Sequence, residues 1–126
     1  MDQAAKNKDI VRRYLKHLDA RDAAGAGELI ADDANWWWVG GRTGKKADIR
    51  ATHERIFGLT NSMTFTIVSE IAEGDKVATE AKVLYHTKDG RVLHNDVQLT
   101  VILKNGKFQD VREYYDMSRP PLTLNT

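Results

Sequence analysis

The stretch MTFTIVSEIAEGDKVATEAKVLYHTKDGRVLHNDVQLTVILKNGKFQDVREYYDM, Met63 to Met117, decides the fold. β-Branched and aromatic residues alternate with polar ones in four runs: Met63 to Ala72, Lys76 to Thr87, Arg91 to Lys104 and Lys107 to Met117. The breaks between them are Glu73-Gly74-Asp75, Lys88-Asp89-Gly90 and Lys104-Asn105-Gly106-Lys107. Asp-Gly and Asn-Gly are the strongest short hairpin signals, because both central positions of the favoured turn need positive φ. The four runs therefore read as an antiparallel meander.

Upstream the texture is helical. Between Ala5 and Ala20, the residues Ile10, Val11, Tyr14, Leu15 and Leu18 line one face of an amphipathic helix. Asp19-Ala20-Arg21-Asp22 breaks it, and Ala26, Leu29 and Ile30 support a shorter helix ending near Asp32 and Asp33, the two forming a hairpin. Asn35 to Val39 reads as a short aromatic strand that stops at Gly40-Gly41, where the chain is free to turn sharply. A third helix is expected from Lys46, with Ile49, His53, Ile56 and Phe57 on one face and Gly58 as its end. Helices followed by a meander predict an α+β fold with the helices on one face of the sheet. Pro120-Pro121 ends the sheet, so 1–126 reads as one domain with an ordered core over about 5–117 and a tail over 118–126.

A chain of 126 residues with 41% hydrophobic content can bury a core without metal or disulfide help. It has no cysteine, which excludes disulfides, thiolate metal sites and sulfur nucleophiles. No apolar run reaches the roughly eighteen residues of a membrane span, and Met1 to Asp9 lacks a secretory pattern, so the expectation is a soluble cytoplasmic protein. Nineteen basic and eighteen acidic residues are interspersed at a net charge of +1, without the basic patch a nucleic-acid partner requires. No Gly-rich phosphate loop follows a strand, and His17, His53, His86 and His94 show no ligand spacing, so neither a cofactor nor a metal is expected.

Three stretches carry a resemblance. They are Val11-Arg12-Arg13-Tyr14-Leu15 running on to Asp19-Ala20-Arg21-Asp22, then Ala31-Asp32-Asp33-Ala34 entering the aromatic strand, and Asn105-Gly106-Lys107 running on to Val111-Arg112-Glu113-Tyr114-Tyr115-Asp116. In this order and spacing, over residues 8 to 117, the chain resembles the SnoaL-like branch of the nuclear transport factor two-like superfamily, which includes ketosteroid isomerases, limonene epoxide hydrolases and polyketide cyclases. The resemblance implies a cone-shaped, curved antiparallel sheet wrapped around three N-terminal helices, enclosing one pocket. It also implies a homodimer through the outer sheet face, where Leu84, Val97, Leu99 and Val101 are expected. Carried over by strand parity, its pocket-facing positions fall on Tyr14, Trp36, Trp38, Ala81, Val83, Tyr85, Asp96, Gln98, Glu113 and Tyr115. His53 and Phe57, on the third helix, complete the expected ligand-binding set.

Two known machineries are incomplete by the same carry-over. Where ketosteroid isomerases hold their carboxylate base the sequence places Trp38, and where they hold a protonated aspartic acid it places Gln98, whose amide can still donate beside Tyr14. The Arg-Asp pair of limonene epoxide hydrolases would fall on Ala81 and Val83, leaving Glu113 as the remaining acid. Glu113 is then the first candidate base, since a carboxylate walled by tryptophans is desolvated and its pKa rises toward neutrality. The alternative is a rim carboxylate or an ion pair with a neighbour such as Arg112. Asp96 and His94, two apart on one strand face, are the second candidates for a base and its orienter, or else a hydrated pair at the sheet edge. Trp36 and Trp38 must share one face while Trp37 takes the other, as pocket wall or as core filler.

These residues predict a cofactor-independent enzyme acting by proton transfer on a small hydrophobic oxygenated molecule, of isomerase, dehydratase or cyclase type. The alternatives are a binding module on the same fold without chemistry, and a dimeric scaffold without a ligand.

Overall fold

Asp2 starts helix α1 (Gln3–Asp19) by accepting a hydrogen bond from the Ala5 amide at 2.8 Å. The apolar stripe of α1 then buries Ile10, Val11, Tyr14, Leu15 and Leu18. The computed structural model describes residues 2–125. Asp22 caps helix α2 (Ala23–Glu28) through the Gly25 amide, and the chain passes directly into strand β1 (Ile30–Trp38). Ile30, Asp32 and Asp33 are therefore strand residues and not the end of a helix. The reason is tertiary: Ile30 lies opposite Phe108, and the Phe108 amide donates to the Leu29 carbonyl at 2.8 Å. This pairing outweighs the weak helical preference of a short Ala- and Gly-rich segment.

After β1 the chain reverses into a two-residue strand β2 (Thr43–Gly44), which the sequence reading did not contain. Helix α3 (Lys46–Leu59) runs through Gly58 and ends one residue later. Strands β3 (Thr60–Glu73), β4 (Lys76–Thr87), β5 (Val92–Lys104) and β6 (Lys107–Tyr115) form the meander. The sheet is six-stranded in the order β2-β1-β6-β5-β4-β3, curved and unclosed, with the helices on its inner face. The α+β cone expected from the sequence is thus present. Within it β1 pairs with β6 in parallel while every other pair is antiparallel. Bulges between Thr60 and Ser62 and between Ile67 and Ser69 interrupt the register of β3, the device by which long strands bend.

Turn geometry decides which side chains face inward. Asn105 and Gly106, with φ of 53° and 75°, form the two-residue turn that their sequence predicts, and Lys104 pairs with Lys107. The break at Asp89-Gly90 closes where the bounds of its two runs put it. Lys88-Asp89-Gly90 is a three-residue loop in which only Gly90 has positive φ, and the Thr87 amide closes on the Arg91 carbonyl. Tyr85 therefore lies opposite Leu93, and Ala81 opposite Val97. The positions carried over from the resemblance stand one residue out of step with this register, and a one-residue step turns every side chain of a strand to the other face. As a result Val97, Leu99 and Val101, expected on the outer face, are buried inside, while Asp96 and Gln98, expected in the pocket, are exposed outside. Leu84 is on the outer face as expected.

The segment after β6 folds back over the open end of the cone. Asn95, buried on β5, donates to the carbonyls of Asp116 (3.0 Å) and Pro120 and accepts from the Asp116 amide at 3.2 Å. Arg55 donates to the Pro121 carbonyl at 2.8 Å, Arg91 to that of Leu124 at 2.7 Å, and Pro120, Pro121 and Leu124 are buried. The expected tail is a strap. Asn95→Ala, which leaves these backbone groups without their partner, is expected to destabilise the protein by about 1–3 kcal/mol and to open residues 117–125 to proteolysis. Thermal melts and limited proteolysis with mass spectrometry check this, and unchanged cleavage would show that the other anchors suffice.

Candidate active site

Tyr14 on α1, Trp36 and Trp38 on β1, His53 on α3, Tyr85 on β4 and Glu113 on β6 converge on one cavity of about 340 Å³ between the helices and the inner sheet face. The strand parity of the three tryptophans accounts for two of these. Trp36 and Trp38 point inward and are almost fully buried, with ring centroids 6.2 Å apart. Trp37 points outward, its ring covered by the Arg112 guanidinium at 3.9 Å and flanked by Tyr114 at 5.2 Å. Apolar side chains from α1, α3, β3 and β5, among them Leu15, Ile56, Met63, Phe65 and Leu99, complete the wall, and Pro121, Leu122 and Asn125 of the strap close it.

Glu113 is the one acid among the lining residues. It stands opposite Trp38 across the parallel pair and opposite Leu99 across the antiparallel one, so both neighbouring strands present apolar walls to it. The Trp36 indole Nε1 donates to its Oε1 at 3.0 Å. Burial is the dominant effect and pushes its pKa up to about 7, against the opposing pull of the Trp36 hydrogen bond, the Arg42 charge and the Trp38 indole. At neutral pH the carboxyl exchanges between its charged and neutral forms, the condition a general base needs.

Tyr14 faces a different partner from the one expected. With Gln98 turned outward, its hydroxyl is 2.9 Å from Nε2 of His53. Burial, and secondly the Glu113 charge, raise the Tyr14 pKa well above its ordinary value, so the phenol stays protonated. Burial, and secondly the charge of Arg50, hold His53 down to about 4, so its imidazole is neutral at physiological pH. When the imidazole carries its proton on Nε2 it donates to the Tyr14 oxygen and frees the phenolic hydrogen for an oxygen in the cavity. The ring of Tyr14 is itself fixed against Phe108 at 4.9 Å and Trp36 at 6.0 Å.

Other expected positions separate from the site. His94 lies outside and contacts Arg119 at 3.2 Å, so it forms no base pair with Asp96 in the cavity. Phe57 does not line the cavity but packs under the Arg21 guanidinium, which reaches the Phe57 and Thr60 carbonyls. Ala81, Val83 and Tyr115 face inward but are core residues behind the wall. Arg42 and Arg55 are lining residues that the sequence reading missed. The signal for Arg42 was Trp38-Val39-Gly40-Gly41-Arg42: the reversal at the two glycines, φ 95° and 97°, pairs the Trp38 amide with the Arg42 carbonyl at 2.8 Å. The guanidinium then folds over the Trp38 ring at 4.0 Å. Among the described residues no three His, Asp or Glu side chains gather to hold a metal ion, and no helix is long and apolar enough to cross a membrane.

The sequence pattern of the SnoaL-like domain matches residues 11–111. The chain belongs to the SnoaL-like domain family. Solved structures of similar shape include AclR, a candidate hydroxylase from Streptomyces galilaeus, with a TM-score of 0.87 and 15% identity over 97% of this chain and 82% of that one. An LEH-like epoxide hydrolase from M. tuberculosis superposes with a TM-score of 0.80 and 18% identity, covering 94% of this chain and 88% of its own. IdmH, a candidate polyketide cyclase from Streptomyces antibioticus, gives 0.80 and 18% over 90% and 94% of the two chains. At these identities the likeness establishes the fold that this SnoaL-like protein shares with them, and its chemistry rests on the cavity itself. No curated protein matches the sequence significantly.

Proposed function

We propose that this SnoaL-like protein is a cofactor-independent enzyme that moves a proton on a small apolar oxygenated molecule, with Glu113 as the base and Tyr14, oriented by His53, polarising the oxygen. The observation that carries this reading is Glu113 itself: a carboxyl sunk in an aromatic cavity, held by the Trp36 indole, with its pKa pushed up to about 7. Abstraction of a proton next to a carbonyl by Glu113 develops negative charge on the carbonyl oxygen, and the Tyr14 phenol is the donor available to stabilise it. Isomerisation, dehydration and cyclisation of a carbonyl compound can each begin with that step. His94, Asp96 and Gln98 have no part in it, because they lie on the other face of the sheet. That outer face exposes Leu84, Val92, Ile102 and Tyr114, and pairing with a second copy through it would leave the cavity untouched.

The test is hydrogen exchange. Incubating the protein in heavy water with a panel of apolar ketones and lactones, and following the α-proton signals by NMR, is expected to reveal catalysed exchange whose rate rises with pH to a plateau, with a midpoint near 7. Saturable quenching of tryptophan fluorescence by panel members with no exchange of any of them would favour the binding module. A folded protein that responds to no class would favour the scaffold.

A further inference from the structure

The cavity has a polarity that the proton-transfer reading does not use. Its acid, Glu113, lies between β1 and β5, whereas two guanidiniums, Arg42 and Arg55, line the same cavity while remaining exposed to solvent, which places them at its mouth. Neither forms a salt bridge among the described residues, although Arg42 acts on Glu113 through its charge and the protein pairs Arg12, Arg13, Arg50, Arg91 and Arg119 with acids. Arg42 rests on the Trp38 ring at 4.0 Å, and Arg55 donates one hydrogen bond to the Pro121 carbonyl at 2.8 Å. Each keeps further N–H donors, since a guanidinium has five. The Glu113 charge and, after it, both guanidiniums act on Tyr115, to which Arg42 is also hydrogen-bonded, so the two cations share a region in which Glu113 is the one acid of the cavity wall to offset them.

We propose that the molecule this cavity accepts is a small apolar carboxylic acid, its hydrocarbon body against the tryptophans and its carboxylate at the mouth on Arg42 and Arg55. This rests on the cavity being a small-molecule site and deepens the proton-transfer reading by naming the substrate class. An apolar acid entering head-last has its body desolvated by Trp36, Trp38, Met63 and Phe65 while its charged end stays hydrated and meets two fixed cations. A carboxylate driven deeper would face Glu113, and two carboxylates in one desolvated space repel.

The experiment compares 1-naphthaleneacetic acid with its neutral amide by isothermal titration calorimetry at pH 8 in low salt. The acid is expected to bind the wild-type protein roughly tenfold more tightly than the amide, and to lose that advantage as salt is raised. Arg42→Gln and Arg55→Gln are each expected to reduce the acid-to-amide ratio, and the double variant to bring it to about one; because the ratio is read within each variant, a change in the cavity wall or the strap that weakens both ligands alike leaves it unmoved. Arg42→Lys, which keeps the charge, is expected to retain most of the preference. Equal binding of acid and amide by the wild type, an acid preference that survives the double variant, or no binding of either compound would overturn the proposal. Preferential binding of the acid without any catalysed exchange would sink the proton-transfer reading and leave this one standing. Exchange of neutral ketones without an acid preference would do the reverse.

Discussion

Glu113→Gln is expected to slow the catalysed α-proton exchange by about 10²- to 10⁴-fold, the range over which a positioned base contributes, while the dissociation constant of the bound ketone changes less than about threefold. Glutamine keeps the volume of the side chain and an oxygen that can accept from the Trp36 indole at the present 3.0 Å, so the cavity wall survives. What it loses is the capacity to accept a proton. The split between rate and binding separates a base from a wall residue, because a merely structural Glu113 would lower both or neither. An exchange rate within tenfold of wild type would remove Glu113 from the mechanism.

The same substitution is expected to stabilise the protein at alkaline pH. Glu113 has a folded-state pKa of about 7 against an ordinary 4.5, so the native protein holds this proton more tightly than the unfolded chain does. The stability it contributes is fully present below about pH 4.5, where both states are protonated, and is lost as pH rises to about 7, amounting to about 3 kcal/mol. Glutamine cannot ionise and escapes that loss. The variant should match the wild type near pH 4.5 and exceed its melting temperature at pH 8 by about 10 °C. His53 contributes with the opposite sign. Its pKa is depressed from 6.5 to about 4, so its share of stability is present above 6.5 and lost as pH falls through 4. Both proteins carry His53, and the effect of Glu113 is therefore read in the difference between their melting curves across pH. A difference independent of pH would show that Glu113 is not desolvated.

Much of the fold is legible in local chemistry. The alternation of Lys76 to Thr87 marks β4 to the residue, the stripe from Ile10 to Leu18 marks α1, and the parity of Trp36 to Trp38 puts two rings inside and one outside. Tyr14, Trp36, Trp38, His53, Tyr85 and Glu113 are brought to one cavity as their positions in those elements suggest. The parts that were not legible depend on events outside the local segment. The loop between Thr87 and Arg91 falls where the sequence breaks put it, but the faces of β5 were carried over from the family by parity, one residue out of step with the observed pairing of Tyr85 with Leu93, and that single step exchanged the expected faces of Asp96 and Val97. The extension of β1 back to Ile30 follows from its parallel pairing with Phe108 about eighty residues away, which no local pattern of the Ala- and Gly-rich segment announces. Arg42 belongs to the site only because the chain reverses at Gly40-Gly41, and the strap is held by Asn95, Arg55 and Arg91, polar residues whose partners are backbone carbonyls and leave no sequence signature.

Proton transfer at this site depends on the ionisation of one carboxyl, which can be measured without knowing the substrate. With glutamate labelled at the side-chain carboxyl carbon, and Glu113→Gln used to assign the resonance, ¹³C NMR follows Glu113 directly through a pH titration. A midpoint near 7, well above the ordinary 4.5 of a glutamate side chain, is the predicted result. A Glu113 resonance that titrates at 4.5 or below would describe a solvated or ion-paired carboxylate and contradict its role as the base.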